Sequence, residues 1–335
     1  MERKENKVTE ILTTANGRHS VEPRVAKFQP IWECYLRQQQ SFWPASKIHF
    51  EADKKQWPLL PPEIRFMLDN ILGFFSIGDE LIMDNLGDNF ISEILNPECQ
   101  TMLKWQTAIE DIHSQVYNKN VTEVYPLTSD KKRVFNLVRE SPTLVRKIEF
   151  AQKYMNNANA TLGERIVAFT AYEGIAFSGS FAAIDWVKTK GYDLEGMYHH
   201  NDYISNDEAM HTQGGALKEM YINNKASDNK VKEILDELVD IEIDFWKSII
   251  PFNGLDGTMT IQNITSHVKH CANIVAHMLS RPGIYGGDSV SPFKFLSMRS
   301  LGTKYNFFEK EGVNYNMGGE NVPISDLSFE EYDDF

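Results

Sequence analysis

Cysteine is scarce. The chain has three, Cys34, Cys99 and Cys271, in 335 residues, and no two share a CxxC spacing. An odd, sparse set of this kind reads as reduced, buried thiols of a cytoplasmic protein. Runs of basic residues are missing as well. The formal charge is −13, and no Lys/Arg cluster offsets it, which excludes a general nucleic-acid binder. No Walker loop or G-x-G-x-x-G stands at a strand–helix turn, so nothing suggests that this chain binds nucleotides. The opening "MERKENKVTE" is charged with no apolar segment behind it, so no secretion signal is expected. Strand signals are few, and no linker rich in Gly, Ser or Pro falls between residues 60 and 280.

What remains is helix. Hydrophobic residues make up 42% of the chain, ample for a large core. Helix-period segments follow one another over 31–42, 62–95, 98–118, 129–139, 142–156, 163–190, 201–222, 227–250 and 260–280. "PPEIRF" and "SPTLVRK" place prolines at helix starts, and Ser141 is a candidate cap of the second. The pattern predicts an N-terminal arm over 1–24, one all-α domain over 25–300 and a mobile acidic tail over 301–335. The stretch "IVAFTAYEGIAFSGSFAAIDWV" is long and apolar enough to span a membrane, yet Glu173 and Asp185 interrupt it. A helix buried in a bundle fits better than a membrane span.

A buried carboxylate such as Glu173 must be protonated, ion-paired or bound to metal. Of nine histidines, only His113 and His211 follow a glutamate by three residues, in Glu110/His113 and Glu208/His211. That spacing puts both side chains on one helix face. Asp79 shares a helical face with Phe75, Ile82 and Met83, and lies 31 residues before Glu110; Glu173 lies 35 before Glu208. The chain thus repeats an acid followed by E-x-x-H, one helical hairpin each, which is the di-metal constellation of ferritin-like bundles. Four carboxylates balance two divalent ions, and oxygen-rich ligation with one imidazole per ion suits iron or manganese better than structural zinc. Such a bundle can store iron, oxidise a substrate or make a radical. Tyr117 stands four residues after His113 on the same face, and Phe177 and Phe181 follow Glu173 at i+4 and i+8, where they can wall a phenol off from water.

With these residues together, the sequence closely resembles the small, radical-bearing subunit of class I ribonucleotide reductase. The resemblance runs from about Phe28 to the last residue, through "SFWPASKI", "FFSIGDE", "IEDIHSQVY", "ERIVAFTAYEGIAFSGSF", "ISNDEAMH" and "NFFEK". It implies a homodimeric, ferritin-like protein of the cytoplasm, with no membrane or nucleic-acid partner. Asp79, Glu110, His113, Glu173, Glu208 and His211 then match the ligands of two iron ions, with manganese also accepted. Tyr117 matches the stable radical, and Phe177, Phe181 and Ile204 its apolar shield. Trp43, Asp207 and Tyr315 match the path that carries the oxidising hole to a large catalytic subunit, where ribonucleotides are reduced. The acid-flanked aromatics Phe329, Tyr332 and Phe335 are expected to anchor the tail on that subunit. Asn206 departs from the arginine common in the family at that position.

Two other classes need less. A substrate oxidase of the same bundle type has no use for Tyr315 or the tail, and an iron-storage bundle needs neither Trp43 nor a shielded Tyr117. His267, His270 and His277, and "YHH" at 198–200 in an expected loop, read as structural or exposed.

Overall fold

The structure, a computed structural model, describes residues 11–13, 26–85, 89–157, 159–286, 290–294 and 296, without the side chains of 77–81 and 83–85. Twelve α-helices are assigned among them: α1 Gln29–Gln40, α2 Glu51–Gln56, α3 Pro62–Asn85, α4 Ile91–Glu93, α5 Pro97–Val124, α6 Thr128–Glu140, α7 Pro142–Phe150, α8 Leu162–Ala171, α9 Ser178–Lys188, α10 Glu195–Met220, α11 Asp228–Ile249 and α12 Ile261–Met278. The described residues contain no β-strand beyond an isolated bridge between Leu255 and Met259. The expected all-α class holds.

Local chemistry sets most boundaries. Asn96 caps α5 by accepting the Cys99 N–H at 3.0 Å, ahead of Pro97. Thr161 and Glu164 form a reciprocal capping box at the start of α8. Ser141 stands at the start of α7 but makes no capping bond to the helix, and its hydroxyl meets Thr143 instead. One start is misplaced, that of α10. It begins at Glu195, six residues before the expected start, because its cap comes from elsewhere in the chain. Asp53 of α2 accepts the Gly196 and Met197 N–H groups, each at 2.8 Å. A Cβ on Gly196 would lie 2.2 Å from the His49 carbonyl oxygen, so the approach needs glycine.

The helices pack as two hairpins side by side. α3 lies on α5, and α10 lies on α8 and α9, with α5 also touching α10. α1 covers α5 and α10, while α11 and α12 close the other hairpin. The apolar stretch from Leu162 to Lys188 is the one span among the described residues long and apolar enough for a membrane. Its side chains are mostly buried inside the bundle, as the two acids had indicated. It is not one regular helix: a π turn, Tyr172–Ala176, separates α8 from α9.

Two of the three thiols, Cys34 and Cys99, are buried, and Cys271 is half-buried. Leu12, within the expected arm, is buried, and its carbonyl accepts the N–H groups of Leu95 and Asn96. Apart from Ile11–Thr13, the arm over 1–24 lies outside the described residues, as does all of 301–335, and with it Tyr315, Phe329, Tyr332 and Phe335.

Candidate metal centre

Helix α5 presents Gln106, Glu110, His113 and Tyr117 at intervals of three or four residues, all buried. One helix face therefore carries them all. Helix α10 presents Asp207, Glu208 and His211, and the π turn presents Glu173. One ligand atom from each of Glu110, Glu173, Glu208 and His211 lies within 4.8 Å of the others. His113 adjoins them, with Nδ1 3.2 Å from Glu110 Oε2 and 3.2 Å from Glu208 Oε1. His211 Nδ1 stands 3.0 Å from Glu110 Oε1 and 3.4 Å from Glu208 Oε2. The side chain of Asp79, on α3, lies outside the described residues.

These donors fit a metal. Both Glu208 oxygens, Glu110 Oε2 and His211 Nδ1 are buried at ion-pair distances yet meet no partner with hydrogen-bond geometry. Burial disfavours charge on His211, but Glu110 and Glu208 outweigh it and push its pKa up to about 9. Burial likewise opposes a charged His113, and Asp207, Glu110 and Glu208 raise it well above the ordinary value. Burial raises Glu208, yet Glu173, His113 and His211 bring it below the usual carboxylate range. Protons on imidazole and divalent cations are alternative answers to the same negative charge, and a metal ligand must release its proton.

The surroundings orient these groups. His113 Nε2 faces Asp207 Oδ2 at 3.1 Å, which leaves Nδ1 toward the carboxylates. The same oxygen accepts the Trp43 indole N–H at 2.8 Å. The Trp43 and His113 rings are nearly parallel, with centroids 5.9 Å apart. Gln106 donates to Glu173 Oε1 at 2.7 Å.

Tyr117 is fully buried and stacks on Phe75 at 4.6 Å. Phe177 and Phe181 pack on Phe75 at 5.9 and 5.4 Å, so two of the three expected shield residues border the ring that lies on the phenol. Ile204 is buried.

The chain matches the family described as ribonucleotide reductase, small chain, over residues 24–292. It is 31% identical over 303 residues to ribonucleoside-diphosphate reductase subunit M2 of Danio rerio, covering 90% of this chain and 77% of that one. This chain belongs to the ribonucleotide reductase small-chain family. In fold it is similar to the Rnr4 homodimer of Saccharomyces cerevisiae, with a TM-score of 0.76 at 24% identity over 88% of this chain and 93% of that one. The dimanganese(II)-NrdF of Streptococcus sanguinis gives 0.69 at 17% identity over 83% and 96%. The small-subunit function and ferritin-like bundle expected from the sequence are thereby borne out.

Within this family member, several neighbours of the site had not been singled out. Gln106 lies at i−4 from Glu110, so its position was legible. Phe75 had figured only as a neighbour of Asp79. His200 lies not in a loop, as the sequence predicts, but in α10, fully buried, edge-on to Tyr117 at 5.5 Å and hydrogen-bonded to Asn120 at 2.9 Å. Burial, with the His113 charge, lowers its pKa to about 3, so it is neutral at ordinary pH. His267 is buried against Ser178 and Ser291, a structural place, as expected. His277 and Asn206 are exposed.

Proposed function

We propose that this small subunit forms and stores a radical on Tyr117 and delivers it to a large catalytic subunit that reduces ribonucleotides. The observation that carries this reading is the buried set Glu110, Glu173, Glu208 and His211, within 4.8 Å of one another, with buried Tyr117 seven residues after Glu110 on α5. With Asp79 and His113 these residues would hold two iron ions, and manganese is accepted by the same donors. When bound, the ions activate dioxygen and supply the oxidising equivalent. Tyr117 gives up an electron and its phenolic proton. Phe75, Phe177, Phe181 and Ile204 exclude water and reductant from the phenoxyl ring. Asp207 takes hydrogen bonds from Trp43 and from His113, which couples the indole to the ligand imidazole; Trp43 relays the electron, and Tyr315 bridges to the partner.

The reading extends to the assembly. The folded body over about 25–300 acts as a homodimer, and the segment 301–335 docks on the large subunit through Phe329, Tyr332 and Phe335. Half-buried rings of Trp32, Tyr35 and Trp105, with centroids 5.0 and 6.3 Å apart, give α1 and α5 an apolar outward face suited to a second copy. Three free cysteines suit the cytoplasm. The test is the paramagnetic resonance spectrum of protein loaded aerobically with Fe(II). A tyrosyl signal is expected, and Tyr117→Phe should abolish it at unchanged metal content. A full tyrosyl signal in that variant would place the radical elsewhere.

A further inference from the structure

Lys147 of α7 is fully buried, as is its partner Glu242 of α11, with Nζ to Oε1 at 2.5 Å. The ammonium also lies over the Phe74 and Phe245 rings, 3.6 and 4.2 Å from their centroids. Exchanging a buried ion pair for apolar side chains of similar size is often neutral or stabilising, so stability alone does not account for this one. A third contact does. Lys147 Nζ donates to the carbonyl oxygen of Ala176 at 3.2 Å, and Ala176 is the last residue of the π turn that carries Glu173.

A π turn interrupts the regular ladder of helix hydrogen bonds, and its carbonyls need other donors. At this exit three carbonyls meet side chains. Ser178 Oγ donates to Ile175 at 2.8 Å, Lys147 to Ala176, and His267 Nε2 faces the Ser178 carbonyl at 3.3 Å. His267 takes the Nε2–H form there, with Nδ1 accepting from the Ser291 hydroxyl at 3.0 Å. The turn has no room to slide. A Cβ on Gly174 would lie 2.5 Å from Val275 Cγ2 and 2.9 Å from Thr212 Cγ2. Slipping the helix by one residue turns its side chains by roughly 100°, which would carry Glu173 out of the metal centre and Phe177 off the Phe75 ring.

We propose that Lys147, oriented by Glu242, and His267 are positioning residues that clamp the exit of the π turn and so fix Glu173 and Phe177. The part that concerns metal rests on the reading of Glu173 as a ligand; the clamp itself does not. Lys147→Met with Glu242→Met removes both charges and keeps most of the volume. Hydrogen exchange of the amides in 172–181, followed in the full chain without added metal, should quicken by about tenfold or more while α1 stays unchanged. At an unchanged melting temperature, Fe(II) and Mn(II) should bind about tenfold more weakly, and Lys147→Arg should recover most of that loss. Unchanged exchange in 172–181 would overturn the clamp. Should the double variant fail to fold, His267→Phe serves instead, with about threefold faster exchange in the same segment expected and no change overturning the proposal. If exchange quickens but metal binding does not weaken, Glu173→Gln decides. Weaker binding in Glu173→Gln would mean that the clamp does not position this ligand. Equal binding there would remove Glu173 from the metal centre and leave the clamp standing.

Discussion

Trp43 and Asp207 are joined across 164 positions of sequence by one hydrogen bond, indole N–H to carboxylate oxygen at 2.8 Å. That oxygen also faces His113 Nε2 at 3.1 Å. Both aromatic rings are fully buried and nearly parallel. A carboxylate that takes two N–H donors inside the core keeps its charge satisfied and holds both rings in fixed orientation. The arrangement suits a relay, because a proton on either nitrogen can shift toward Asp207 as the electron passes.

Trp43→Phe should therefore separate radical formation from radical delivery. Phenylalanine retains the ring and loses both the donor and the accessible oxidation. Metal content and the Tyr117 signal should persist, while deoxyribonucleotide formation with the large subunit falls by about a hundredfold or more. Loss of the metals in that variant would instead make Trp43 a packing residue.

The shield around Tyr117 should fail first at Phe75, the ring that stacks directly on the phenol. Phe75→Leu should cost about 1–3 kcal/mol of stability and shorten the radical lifetime more than Phe181→Leu does. Decay of the resonance signal in the two variants, compared at equal radical yield, checks the order. A longer lifetime in Phe75→Leu than in Phe181→Leu would reverse the assignment of the protecting ring.

The fold and much of the centre were legible because helical spacing converts directly into geometry. Glu110 with His113, and Glu208 with His211, stand together because three residues make nearly one turn. Glu173 was legible as an acid in an apolar run, but the π turn that carries it was not, since Lys147 from α7 supplies the donor for its last carbonyl and His267 from α12 faces the first carbonyl of α9 beyond it. The start of α10 escaped for a similar reason: its cap is Asp53, more than 140 positions away. With that start misplaced, His200 fell in a loop and its place against Tyr117 was lost. Tertiary partners, not local pattern, decide such features.

Phe329, Tyr332 and Phe335 lie outside the described residues, and the composition around them points to docking on the partner. Aromatic side chains spaced among acids supply apolar anchors within a charged segment, the pattern of short motifs held in a groove. A peptide of sequence "SFEEYDDF" should compete with the intact subunit and inhibit turnover. Deleting those eight residues should abolish turnover while the metals and the Tyr117 radical remain. Undiminished affinity of the truncated chain for the large subunit would move docking to the folded body.

The Lys147–Glu242 pair makes a prediction about pH. Burial pushes the Glu242 carboxyl from 4.5 up to about 7, with the attraction of Lys147 opposing it. The folded pKa is thus raised above the unfolded one. Between pH 4.5 and 7 the folded protein binds a proton at this position that the unfolded chain has released. Stability then falls as pH rises through that window. The contribution is fully present below 4.5 and lost above about 7. A shift of that size corresponds to something on the order of 3 kcal/mol. Glutamine at 242 has no proton to exchange, so the difference between the two proteins reports the carboxyl together with the Lys147 ammonium that its charge supports. Denaturant melts of the wild type and of Glu242→Gln at pH 5 and pH 7 should show the wild type losing ground to the variant at the higher pH. Equal changes in the two proteins would mean that Glu242 titrates as an ordinary carboxylate and that the ion pair is fully formed at both values.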